Sequence, residues 1–262
     1  MNVPEPPERV AAPRERPRPR RSKPPMALTP ELVARVTCPI GQQELPPGVS
    51  RYTDAEHAAK VAEVLSSHPE GEDLWLFAYG SLIWRPEIEH VEARVGVARG
   101  WHRSFCFRIS LFRASPEQPG FMMALDRGGQ CKGVLYRLPA EGLRAQVERL
   151  IRREMPIRHA VDAPPTNVPR WIRIAAEDGP LRALAFVADP RGAIYCGRMP
   201  PEEIADALAT ACGSRGSCAE YLYNTIVHLE EHDIHDRTLW RLQALVAERI
   251  AARCPAGDTR VA

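Results

Sequence analysis

An α+β fold with a mainly antiparallel sheet that can close on itself is the class this sequence predicts. Three observations carry the expectation. Strand-like runs dominate from Leu74 to Ala188, helical stripes cluster towards the C-terminus, and the two kinds do not alternate as a doubly wound parallel sheet requires.

Thr29-Pro30-Glu31 sets an N-cap threonine before a proline at the first helical position, so a short helix opens there. Thr53 and Glu56 have the spacing of a capping box, which starts a second helix that ends near Leu65. Leu74 to Ala78 is a continuous apolar run, short enough for a buried strand. Val91, Ala93, Val95 and Val97 alternate with polar or small residues, the period of a half-buried strand. Further strands are expected over 101–109, 121–126, 131–138, 170–175 and 181–188, punctuated by Gly, Pro and Asp. Residues 141–154 place Leu143, Val147, Leu150 and Ile151 on one helical stripe. Pro200-Pro201-Glu202-Glu203 starts another helix that leads into Ile204 and Leu208. Two more span 218–231 and 236–252, the second marked by Leu239, Leu242, Val246 and Arg249.

Composition narrows the function classes. The chain has 262 residues, 44% apolar and 26% charged, with a formal net charge of +2, which excludes a highly charged disordered chain and a strongly polyanion-binding body. The charge is uneven. Residues 1–25 hold eight prolines, six arginines and one lysine against three glutamates, a disordered basic tail of +4 that leaves −2 for the rest. The expected organisation is therefore that tail, a helical extension over 26–70, one main domain over 71–254 and a flexible end over 255–262. With a body of −2 and no interleaving of aromatic and basic residues, no nucleic-acid partner is expected. No apolar run approaches the ~18 residues needed to span a bilayer, and no apolar signal core opens the chain, so a cytoplasmic protein without membrane partner is expected. Seven scattered cysteines without a C-x-x-C pair read as reduced thiols, mostly small buried hydrophobes.

Two places stand out as chemistry. In Phe77-Ala78-Tyr79-Gly80-Ser81-Leu82 an apolar strand runs into Gly-Ser, a turn whose N–H groups can form a nest for a carboxylate or oxyanion, with the Tyr79 hydroxyl as a further donor. A plain strand end is the structural alternative. Glu154 lies seven residues after Val147, four after Leu150 and three after Ile151, so its carboxylate leaves from the apolar stripe. Burial there, close to the helix's negative end, raises its pKa into the range of a general base. A buried pair with Arg152, Arg153 or Arg158 is the structural alternative. His228 and His232 are four apart on a helix, but Leu229 stands where the hydrolytic zinc motif needs Glu, and a solvated helix end is the better reading. Neither Cys131 nor Cys218 carries a nucleophile signature.

Phe77 to Trp84, Gly100-Trp101 with Arg103 to Cys106, Pro116 to Gly120, Leu125 to Gly129, Gly133, Arg153-Glu154-Met155, Pro169-Arg170-Trp171, Gly216 to Leu222 and Asp236 follow one another in a specific order. Together they resemble the ChaC family of γ-glutamylcyclotransferases, over roughly residues 74–250. The resemblance implies a small mixed or antiparallel β-barrel flanked by helices. It implies cleavage of glutathione to 5-oxoproline and Cys-Gly without metal or organic cofactor; separately, a monomer is expected. It maps substrate binding onto Tyr79, Gly80, Ser81 and Leu82, and the catalytic carboxylate onto Glu154. Pro156 to Val168 and Phe112 to Ser115 depart from the pattern of many relatives and bear on substrate selectivity. Other γ-glutamyl amino acids or γ-glutamylamines as substrates, or a binding protein without turnover, are the alternatives on the same fold.

Overall fold

The computed structural model describes residues 25–36, 41, 43–159 and 163–253. Apart from Pro25, the basic tail expected over 1–25 and the end expected over 255–262 lie outside these residues. Five strands form a closed barrel: β2 (Leu74–Ala78), β3 (Glu92–Ile109), β4 (Gly120–Leu138), β6 (Asn167–Ala176) and β7 (Gly179–Ala188), in the order β2-β4-β3-β6-β7. Most pairings are antiparallel, and a parallel contact at Leu76 and Leu184 joins β2 to β7. Two-residue strands β1 (Ser50–Arg51) and β5 (Ile157–Arg158) pair beside the barrel, as do β8 (Cys212–Gly213) and β9 (Gly216–Ser217).

Four of the expected strands are two. Residues 92–109 and 120–138 are continuous, and they bend where glycines interrupt the apolar pattern. Gly100 has φ +81 at a register shift between Arg99 and Trp101, opposite Gly128 and Gly129 at φ +105 and +64. Such residues bend a two-stranded ribbon without ending it.

The alternation at 91–97 is present, but its buried side is not the valines. Val91 and Val95 face outward, whereas Gly96 and Ala98 face in. The barrel is too narrow for more, since a Cβ on Gly96 would lie 2.5 Å from Ile174 and 2.8 Å from Leu135.

The helices are α1 (Pro30–Ala34), α2 (Asp54–Ser66), α3 (Ser81–Trp84), α4 (Leu143–Glu154), α5 (Pro201–Leu208), α6 (Cys218–Glu231) and α7 (Arg237–Arg253). Thr53 and Glu56 make the reciprocal capping box at α2. On α4, Val147, Leu150 and Ile151 are almost wholly buried, each contributing ~1.5–3 kcal/mol against the barrel and α2. On α7 the stripe runs through Leu239, Leu242, Val246 and Ile250, while Arg249 turns outward to Asp206.

Asp236 caps α7 by accepting from the Thr238 and Leu239 N–H groups, and its other oxygen accepts from Arg103 at 3.1 Å. Cys106, Cys131, Cys196 and Cys218 are free thiols, as expected, whereas Cys212 is disulfide-bonded, contrary to the expectation of reduced thiols throughout. Among the described residues no helix is long and apolar enough to cross a membrane.

Candidate active site

A cleft of about 670 Å³ opens at one end of the barrel, and Tyr79, Gly80, Ser81, Leu82 and Glu154 all line it. Strand β2 delivers the first four: it ends at Ala78, the chain turns through Tyr79-Gly80, and Ser81 begins the single turn of α3. The first-turn N–H groups of such a helix have no intrahelical acceptor. Arg103, its side chain 3% exposed, fixes the turn by donating through Nε to the Tyr79 carbonyl at 2.6 Å and to the Lys132 carbonyl through its other arm.

Gly80 has φ −140 and ψ −128, so no left-handed backbone demands glycine. Space does. A Cβ there would lie 2.8 Å from the Tyr221 hydroxyl and 3.1 Å from Met123 Cε. Tyr79 lines the cleft but is nearly buried. Burial and then the Glu154 charge push the Tyr79 and Tyr221 phenols well above their usual pKa. Both stay protonated donors at neutral pH.

Glu154 is the last residue of α4, its side chain 16% exposed. Burial raises its pKa, opposed by Arg153 and by a hydrogen bond from Asn167 Nδ2 to Oε2 at 3.2 Å. The arginine partner allowed for in the sequence exists, but it is loose. Arg153 Nε is 3.3 Å from Oε1, and the same guanidinium also reaches Ser81 Oγ at 3.3 Å, Glu87 at 3.2 Å and the Arg85 carbonyl. Arg153 therefore ties the carboxylate of α4 to the turn after β2. A desolvated carboxylate whose partner is shared in this way can take and return a proton.

Three cleft residues escaped the sequence reading. Asn167 opens β6 inside the Pro-rich segment, Tyr221 sits on α6, and Arg113 packs over the rings of Tyr221 and Trp84 while donating to Glu220 and the Ser217 carbonyl. Tyr221 belongs to a quoted motif segment and lies on the inward stripe of its helix, Arg113 falls in the segment 112–115 that departs from the family pattern, and Asn167 had no local signal.

Cysteine chemistry is unsupported here. Burial pushes the Cys131 thiol to about 11 and those of Cys106 and Cys218 to about 12, so none is a thiolate at neutral pH. His228 bonds the Asn224 carbonyl at 2.7 Å and lies against Trp84, and His235 bonds Glu230. Among the described residues no cluster of three or more His, Cys, Asp or Glu is placed to hold a metal.

A closed five-stranded barrel with a desolvated carboxylate facing a Tyr-Gly-Ser-Leu turn defines a γ-glutamylcyclotransferase-like α+β protein. Residues 74–249 match the ChaC-like protein family, and the chain belongs to that family. It is 35% identical over 210 residues to the Glutathione-specific gamma-glutamylcyclotransferase of Escherichia coli K12, covering 80% of this chain and 88% of that one. With Glutathione-specific gamma-glutamylcyclotransferase 1 of Homo sapiens it is 36% identical over 151 residues, 57% of this chain and 66% of the human one. A crystal structure of a yeast gamma-glutamyl cyclotransferase specific to glutathione shares the fold, with a TM-score of 0.60 at 18% identity over 68% of this chain and 97% of that chain.

Proposed function

We propose that this protein cleaves glutathione into 5-oxoproline and Cys-Gly. The observation that carries the reading is the raised, loosely paired Glu154 in the cleft that Tyr79, Gly80, Ser81 and Leu82 also line, in a chain of the ChaC-like family. The substrate's α-ammonium must lose a proton before its nitrogen can attack the γ-carbonyl. Glu154 takes that proton; the new C–N bond closes a five-membered lactam. The old amide C–N bond then breaks, and Glu154 returns a proton to the departing cysteinyl amine. No water is consumed and no protein nucleophile is needed. The turn at Gly80 and the tyrosine hydroxyls hold the γ-glutamyl group curled, so orientation replaces much of the entropic barrier.

The protein is read as a monomer acting in the cytoplasm; the free thiols of Cys106, Cys131, Cys196 and Cys218 support that compartment, and the disulfide at Cys212 counts against it. Incubation with glutathione beside γ-Glu-Ala and γ-Glu-Lys, with product identification, tests the reading. Release of 5-oxoproline from glutathione in preference to the others supports it, and turnover of γ-Glu-Ala or γ-Glu-Lys alone overturns the substrate assignment.

A further inference from the structure

Beyond the reacting centre the cleft continues outward. A second cavity, of about 440 Å³, shares Leu111, Phe112, Ser214 and Arg215 with the first, and Gln43 and Arg51 from the N-terminal segment line it too. Its wall is built. Gln43 Oε1 accepts from the Phe112 N–H at 2.8 Å and from Ser214 Oγ at 3.2 Å, and Gln43 Nε2 donates to the Ala114 carbonyl at 2.8 Å. The Arg215 N–H donates to the Phe112 carbonyl at 2.7 Å. One side chain thus clips together the two loops that separate the cavities.

The charges there are not balanced. Arg113 and Arg153 have carboxylate partners in Glu220 and in Glu87 and Glu154. Among the described residues, Arg51 and Arg215 have neither an ion pair nor a side-chain hydrogen bond, and Arg215 lies over the Phe112 ring at 4.3 Å. Desolvation, then the like charges of Arg153, Arg113 and Arg51, lowers the Arg215 pKa against Glu87 alone. Cations gathered without counter-charge around a cavity are complementary to an anion, and the guanidinium fork matches a carboxylate.

We propose that this outer cavity is a second carboxylate subsite, where Arg215 and Arg51 hold the terminal carboxylate of the substrate's leaving portion while its γ-glutamyl end lies at Glu154. The proposal rests on the glutathione reading and deepens it. A Cys-Gly leaving group carries a carboxylate well away from the scissile bond, and a γ-glutamylamine carries none. Selectivity for the tripeptide then comes partly from Gln43 and Arg51, which precede the family match at residue 74.

The test compares glutathione with its glycyl monoethyl ester, in which that one charge is removed, by kcat/KM for 5-oxoproline release in the wild type, Arg215→Gln, Arg215→Lys and Arg51→Gln. The wild type should prefer the free acid by about tenfold or more, mainly through KM, the size of one charge-assisted hydrogen bond. In Arg215→Gln the preference should shrink to within about twofold, with Arg215→Lys retaining part of it. Arg51→Gln should reduce it too, and it carries the test if the Arg215 variants do not fold. A wild type indifferent to the ester, or an Arg215→Gln protein that keeps the full preference, overturns the subsite. If the wild type turns over neither compound, the glutathione reading itself fails. Calorimetric titration with Cys-Gly and its amide then decides the subsite alone. Tighter binding of the acid that is lost in Arg215→Gln supports it, and equal binding refutes it.

Discussion

Asn167 holds Glu154 at two points, donating from Nδ2 to the carboxylate Oε2 at 3.2 Å and to the backbone carbonyl of the same residue at 3.3 Å. Both partners are acceptors, so the amide can face them only with its nitrogen. The opposite oxygen, Oδ1, is buried without a partner among the described residues. A substrate ammonium beside Glu154 is a donor of the kind that oxygen lacks.

Replacing Asn167 by Ala should therefore lower kcat by about tenfold, the worth of a hydrogen bond to a charged group. It should also move the acid limb of the kcat/KM profile to higher pH. Asn167 donates to the ionised carboxylate and holds its pKa down against burial; without that donor, Glu154 keeps its proton longer. A slower variant with an unmoved acid limb would assign Asn167 a purely structural part.

Enlarging Gly80 should block the site by contact alone. In Gly80→Ala the new methyl meets the Tyr221 hydroxyl at 2.8 Å, so KM should rise by ~10-fold or more. Removing that hydroxyl makes room. In the Tyr221→Phe background the same change should cost markedly less, and additive losses would contradict the contact.

Asp236→Asn tests the support beneath the turn. Asparagine can still cap α7, but it leaves the Arg103 guanidinium, 3% exposed, without its counter-charge. Removing one side of a buried pair costs ~3–5 kcal/mol, so thermal unfolding should move down by at least ~6 °C. Because Arg103 also grips the Tyr79 carbonyl, KM should rise in the folded fraction. A variant with unchanged melting and KM would show that the pair supports neither.

Much of this architecture was legible because the signals were local. The capping box at Thr53, the α4 stripe that carries Glu154 and the bounds of α6 each depend on residues a few positions apart. What escaped depends on distant partners. Gly100 looks like a strand end, but the opposing ribbon at Gly128 and Gly129 makes it a bend. The exposed Val91 and Val95 look like core until Ile174 and Leu135 occupy the space inside. Within the site, Glu154 and the Tyr79–Leu82 turn stood out by pattern and resemblance. Asn167 was invisible, since its place beside Glu154 is fixed by where β6 enters the barrel.

Glu154→Gln separates a proton carrier from a structural partner. Glutamine keeps the shape and cannot accept the proton, so kcat should fall by ~10²–10⁴-fold. The folded-state pKa of Glu154 is raised, so its contribution to stability is full below the unfolded pKa and is lost as pH rises through the folded one. At neutral pH the neutral glutamine should therefore melt no lower than wild type. A clear loss of stability with kcat per folded molecule intact would make Glu154 a salt-bridge residue instead.

The most direct measurement of the central claim is the fate of the γ-carbonyl when the wild-type protein, treated with EDTA, consumes glutathione in ¹⁸O-labelled water. Attack by the substrate's own amine predicts 5-oxoproline and Cys-Gly in equal amounts, with no label in the lactam and an undiminished rate. Glutamate carrying ¹⁸O would show that water is the nucleophile and would contradict the account.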